Sequence, residues 1–138
     1  MREHGAVYIP DDEYLERVKR AAKILQREGL DALIVNSNES DYANARYFSG
    51  FWPLFERCGV AISPAGDAAL MVGPESREFA ADRSRLDKIF VLKEYREGAD
   101  PAYPELQADT YHDVFKALGI TGKKPRIGVA SYLDKSVN

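Results

Sequence analysis

Residues 59–72 read GVAISPAGDAALMV, two apolar runs joined by a short turn-forming stretch. The first run, residues 59–63, and the second, residues 68–72, each have the length and apolar character of a buried strand. Between them, Pro64 and Gly66 suit a tight reversal of the chain. The stretch therefore predicts a β-hairpin, and a sheet that contains it must have at least one antiparallel pair of strands.

Helical and extended patterns alternate on both sides of this hairpin. Apolar residues recur at helical spacing in the longest helical segment, and Gly29 is expected to end it. A shorter helical turn lies before Gly50, and Ser40 is its expected N-terminal cap. The predicted helices cover residues 11–28, 40–49, 76–81 and 111–118, and the further strands cover residues 32–35, 88–92 and 126–130. This order predicts an α/β fold with a mixed β-sheet flanked by helices.

The composition excludes several classes of protein. A length of 138 residues suits one domain with one core. The 19 basic and 22 acidic residues are interspersed and leave a net charge of -3, so nucleic-acid binding is not expected, because phosphate recognition needs clustered cations. No apolar stretch approaches the roughly 20 residues of a membrane span, and residues 1–10 lack the apolar stretch that is typical of a secretory signal. We therefore expect a cytoplasmic protein that does not bind a membrane.

Three stretches resemble the N-terminal domain shared by creatinases, prolidases and aminopeptidase P. They are YLERV at residues 14–18, GLDALIV at 29–35 and RYFSGF at 46–51. The resemblance covers about residues 11–133, which leaves residues 1–10 as an N-terminal extension and residues 134–138 as the start of a linker to an absent C-terminal catalytic domain. It also implies a ribonuclease H-like topology for the mixed sheet.

The resemblance implies that the chemistry of the parent protein lies elsewhere. In these families the two-metal site of the peptidases, or the catalytic histidine of the metal-free creatinases, belongs to a C-terminal pita-bread domain. No catalytic residue, metal ligand or cofactor is therefore expected in this chain, whereas the parent holds a dinuclear manganese, cobalt or zinc site, or no metal if it is creatinase-like. The implied role is to help build a homodimer and the neighbouring subunit's substrate site. The alternative is a stand-alone α/β module that binds a small carboxylate or a protein partner.

The resemblance also singles out three candidate substrate-binding residues that would act on the neighbouring subunit: Phe55, Arg57 and Trp52. An aromatic residue, one intervening residue and an arginine precede the first hairpin strand of creatinases, and Phe55 and Arg57 match that pattern. A guanidinium can hold a carboxylate through two parallel hydrogen bonds, beside an aromatic wall. Glu56 stands where the family has glycine, and it could pair with Arg57 or repel a carboxylate. The alternative is a solvated arginine beside a packed phenylalanine.

Other chemistry receives less support from the residues. Cys58 is the only cysteine, which suits a small buried residue better than a nucleophile, although Arg57 could lower its pKa. Residues 73–76 could cradle an anion at a helix start, but they lack the lysine and glycine spacing of phosphate loops. The predicted strands from 32 to 72 contain no carboxylate, so a ribonuclease H-type nuclease is not expected.

Overall fold

The described part of the chain, residues 8–97 and 107–130 of a computed structural model, contains four α-helices and five β-strands. The helices are α1 (Asp11–Glu28), α2 (Ala43–Ser49), α3 (Arg77–Arg83) and α4 (Tyr111–Ala117). The strands are β1 (Ala32–Ser37), β2 (Cys58–Ile62), β3 (Ala68–Val72), β4 (Ile89–Val91) and β5 (Ile127–Ala130). Short 3-10 helices at Pro74–Ser76 and Lys93–Tyr95 complete the described elements. The predicted order of helices and strands is confirmed.

Local sequence explains the bounds of the longest helix. Helix α1 carries three acidic residues in its first turn, where their negative charges interact favourably with the positive end of the helix dipole. It ends at Gly29, whose φ of 65° lies in the left-handed region that glycine adopts without steric cost. Its buried residues form one stripe, and they are Tyr14, Val18, Ala21, Ala22 and Leu25.

The five strands form one mixed sheet in the order β4-β3-β2-β1-β5. Strand β2 pairs antiparallel with both β1 and β3, whereas β5 runs parallel to β1 and β4 runs parallel to β3. The predicted hairpin is confirmed, with Val60 opposite Leu70. Asp31 fixes the start of the β1–β5 pair, because its carboxylate accepts a hydrogen bond of 2.7 Å from the Arg126 N–H.

Each face of the sheet packs against its own layer. The front face contacts α1, α2 and α3 through one apolar cluster, and the back face contacts α4 through a second cluster. Successive side chains along a strand point to opposite faces of the sheet. Val60 and Leu70 therefore belong to the front cluster, and Ala61 and Ala69 belong to the back cluster. Strands β2 and β3 are buried along their whole lengths, which agrees with helices on both faces.

The structure corrects three local predictions. Strand β1 continues to Ser37 instead of ending at residue 35, since β2 pairs with it over the additional residues. Ser40 does not cap α2; the helix begins after Tyr42, and its buried N–H at Ala45 donates to Ser37 Oγ at 3.0 Å. Strand β4 stops at Val91, before the 3-10 helix at Lys93–Tyr95.

The chain ends lie mostly beyond the described residues. Of the predicted N-terminal extension at residues 1–10, only residues 8–10 are described, and the predicted linker at residues 134–138 lies outside the described residues. None of the described helices is both long enough and apolar enough to cross a membrane.

Candidate functional site

The segment that leads into β2, which we call the 52–57 loop, holds all three candidate residues. Phe55 is 38% exposed and Arg57 is partly buried, whereas Glu56 between them is only 1% exposed. The positive charge of Arg57 offsets part of the rise that burial causes in the pKa of Tyr111, the first residue of α4. The loop therefore exposes Phe55 while Glu56 turns inward.

Glu56 turns toward the start of α3 rather than toward the surface. Its carboxylate accepts hydrogen bonds from the backbone N–H of Ser76 at 3.0 Å and of Glu75 at 3.4 Å. Burial raises the pKa of Glu56, and these hydrogen bonds offset only part of that rise. The anion cradle considered at residues 73–76 is thus occupied by a carboxylate of the same chain, which anchors the 52–57 loop.

Trp52 lines a groove that Phe55 and Arg57 do not line. Its ring packs under the guanidinium of Arg46, with 4.5 Å between the guanidinium carbon and the ring centroid. Trp52 also lines a groove of about 810 Å³ between α1, α2 and the end of α3, and neither Phe55 nor Arg57 is among the residues that line this groove. Of the three candidates, which are close in sequence, only Trp52 therefore belongs to this groove.

A buried polar network lies behind the loop, on the back face of the sheet. Tyr95 donates a hydrogen bond to Asn36 Oδ1 at 2.7 Å, and its oxygen lies 2.8 Å from the Tyr111 hydroxyl. Burial raises the pKa of Tyr95 and of Tyr111, so both phenols stay protonated at neutral pH. Sequence reasoning missed this network; the signal was Gly59, a glycine inside a strand, where a Cβ would lie 2.6 Å from the Tyr95 hydroxyl.

Cys58 belongs to the core rather than to a reactive site. Its side chain is fully buried in the front cluster, and burial raises the pKa of its thiol to about 12. A thiol with that pKa is protonated at neutral pH and is a poor nucleophile.

The sequence model that describes the creatinase/prolidase N-terminal domain matches residues 17–137. The chain belongs to this family. A search of the curated proteins finds no match. The family assignment that the sequence motifs suggested is therefore confirmed over almost the whole chain.

Solved structures share the fold of this creatinase/prolidase N-terminal domain. The prolidase of Pyrococcus horikoshii is 23% identical, with a TM-score of 0.57 over 88% of this chain and 27% of its own. The dipeptidase PepE of Mycobacterium ulcerans is 16% identical, with a TM-score of 0.60 over 94% of this chain and 31% of its own. An isolated creatinase/prolidase-like N-terminal domain from Corynebacterium diphtheriae is 13% identical, with a TM-score of 0.54 over 86% of this chain and 98% of its own. These likenesses establish the mixed α/β fold.

Two length relationships follow from these comparisons. The chain spans under a third of the prolidase and dipeptidase chains, yet it spans nearly all of the isolated domain. Within residues 8–97 and 107–130, the creatinase/prolidase N-terminal domain brings together no three His, Cys, Asp or Glu side chains that could hold a metal ion.

Proposed function

We propose that the chain is the non-catalytic N-terminal domain of a longer hydrolase of the creatinase or Xaa-Pro peptidase type. The observation that carries the proposal is length: the family match covers residues 17–137, whereas the same fold accounts for only 27% of the Pyrococcus horikoshii prolidase chain. In this proposal the remaining domain supplies the reaction, together with its metal ions if the parent is of the peptidase type.

The domain's own contribution is to dimerisation and to the neighbouring subunit's substrate site. Phe55 is exposed next to Arg57, and together they offer an apolar wall and a guanidinium that can hold a carboxylate. Glu56 supports this role, because the hydrogen bonds that its carboxylate accepts from residues 75 and 76 hold the backbone between the two contact residues. A fixed loop loses little conformational freedom when it meets a substrate, and accurate positioning lowers the barrier of the reaction.

Activity measurements test the division of labour between the domains. The purified 138-residue chain is expected to hydrolyse neither Xaa-Pro dipeptides nor creatine, with or without added manganese. The longer protein, with its second domain, is expected to hydrolyse one of these substrate types. Turnover by the 138-residue chain that survives purification and disappears on mutation of one of its own residues would contradict the proposal.

A further inference from the structure

Four arginines line the groove between α1, α2 and the end of α3, and we call it the arginine groove. It is lined by Arg17 of α1, Arg46 of α2, Arg83 at the end of α3 and Arg85 just after that helix. Its volume of about 810 Å³ falls within the range of small-molecule sites. Among the described residues that line it, Asp82 is the one acid, and Asp82 already pairs with Arg83 at 2.9 Å. Arg17 and Arg85 also pair with acids, Glu13 and Asp11, so among the described residues Arg46 is the lining arginine without a carboxylate partner.

Arg46 is the arginine best placed to receive a ligand. No carboxylate of the described residues lies within salt-bridge distance of its guanidinium. The guanidinium carbon lies 4.5 Å from the Trp52 ring centroid and 5.9 Å from that of Tyr42. Stacking against a ring uses the face of the guanidinium and leaves the N–H groups in its plane available to an oxyanion.

Arg17 provides a second positive charge whose position is fixed in advance. Its side chain is only 14% exposed and is held by Glu13 at 3.1 Å and by the Tyr47 carbonyl at 2.8 Å. Its guanidinium carbon also lies 4.4 Å from the Tyr47 ring centroid. A side chain that is already ordered loses little conformational entropy on binding, so its field acts on a ligand at small cost.

We infer that the arginine groove binds a small molecule that carries carboxylate or phosphate oxyanions, with Arg46 as the principal contact. Arg17 and Arg85 supply the surrounding positive field, although Glu13 and Asp11 neutralise part of it. Trp52 forms the wall that holds the Arg46 guanidinium. This inference goes beyond the proposed function, since it requires neither a second domain nor a partner subunit.

Calorimetric titration of the 138-residue chain tests the inference, with citrate and inorganic phosphate as separate probes at constant ionic strength. Trp52 is the only tryptophan, so its fluorescence reports on the groove. We expect saturable binding of at least one probe with a change in Trp52 emission. Binding of citrate alone assigns a polycarboxylate, binding of phosphate alone assigns a phosphorylated molecule, and binding of both assigns the shared oxyanion chemistry.

Variants locate the binding at Arg46. Loss of one charge-assisted contact predicts that Arg46→Ala weakens binding by about tenfold or more. Arg46→Lys keeps the charge without the planar donor pair and should lie between Arg46→Ala and the unchanged chain. Arg27→Ala is the matched control, because Arg27 is exposed, pairs with Glu28 and does not line the groove.

Two results would overturn the inference. One is that neither probe gives a response beyond that of sodium chloride at the same ionic strength. The other is that Arg46→Ala, still folded by circular dichroism, binds as tightly as the unchanged chain. Either result leaves the proposed function standing, because that function depends on the activity of the longer protein.

Discussion

Glu56 and Gly73 share one small space between the 52–57 loop and the start of α3. A Cβ at residue 73 would lie 2.4 Å from the carboxyl carbon of Glu56, a separation that side-chain carbons essentially never show. The carboxylate that fills this space accepts a 3.0 Å hydrogen bond from the Ser76 N–H. The position of the loop therefore depends on the absence of a side chain 17 residues later in the sequence.

Gly73→Ala should destabilise the domain by displacing the Glu56 carboxylate. The φ of Gly73 is -76°, which suits any residue, so the cost comes from the lost space alone. Overpacking and disrupted buried hydrogen bonds predict a loss of about 2–4 kcal/mol in the free energy of unfolding, measured by urea denaturation. Gly122→Ala is the control, since a Cβ there meets no atom within 4 Å. Equal stability of the two variants would contradict the close contact.

The raised pKa of Glu56 predicts that its contribution to stability falls as pH rises. The folded protein holds the Glu56 proton more tightly than the unfolded chain, whose carboxyl titrates near its ordinary pKa of 4.5. Protonated Glu56 therefore favours folding in acid, and this advantage is lost as pH rises through the folded-state pKa.

Comparison with Glu56→Gln isolates this effect, because glutamine does not titrate. Urea denaturation between about pH 4 and about pH 7 should show the stability of the unchanged protein falling relative to that of Glu56→Gln. A relative rise with pH would show that the hydrogen bonds from residues 75 and 76 outweigh the cost of burial.

Tyr95→Phe should weaken the back face of the sheet. The change removes the hydroxyl that joins Asn36 to Tyr111, so the side-chain oxygen of Asn36, Oδ1, loses this donor. Loss of this partner predicts a decrease of about 1–3 kcal/mol in the free energy of unfolding. Tyr42→Phe is the matched control, because Tyr42 is 39% exposed and its hydroxyl makes no hydrogen bond with a described residue. A Tyr95→Phe variant as stable as the control would contradict the expected cost of losing this hydrogen bond.

Local patterns predicted most of the fold, because short-range chemistry decides those elements. The stripe of α1 and its end at Gly29 follow from spacing and from one glycine, and the hairpin follows from a turn between two apolar runs. The extension of β1 to Ser37 could not be predicted in this way. Ser37 and Asn36 are polar, and they are extended because β2, about twenty residues later, pairs with them.

The candidate site also has features that the sequence predicted and features that it could not predict. An aromatic residue and an arginine around position 56 were visible in the sequence, but the partner of Glu56 was not, since residues 75 and 76 approach it only in the folded sheet. The arginine groove was also missed, because its arginines come from three helical regions that are far apart in the chain. Sequence spacing predicts which residues share an element, whereas tertiary packing decides which elements share a site.

Arg57→Ala in the longer protein tests the proposed substrate contact most directly. If the guanidinium holds a substrate carboxylate, its removal should raise KM or lower turnover, because one charge-assisted hydrogen bond contributes about 1.5–3 kcal/mol, or roughly ten- to a hundred-fold in kcat/KM. The dimer that we propose and the melting temperature should stay nearly unchanged, since Arg57 is only partly buried. Arg27→Ala, which removes an exposed arginine of α1, controls for the loss of one positive charge. Unchanged kinetics, or a melting temperature that collapses in Arg57→Ala alone, would assign Arg57 a structural role behind the loop instead.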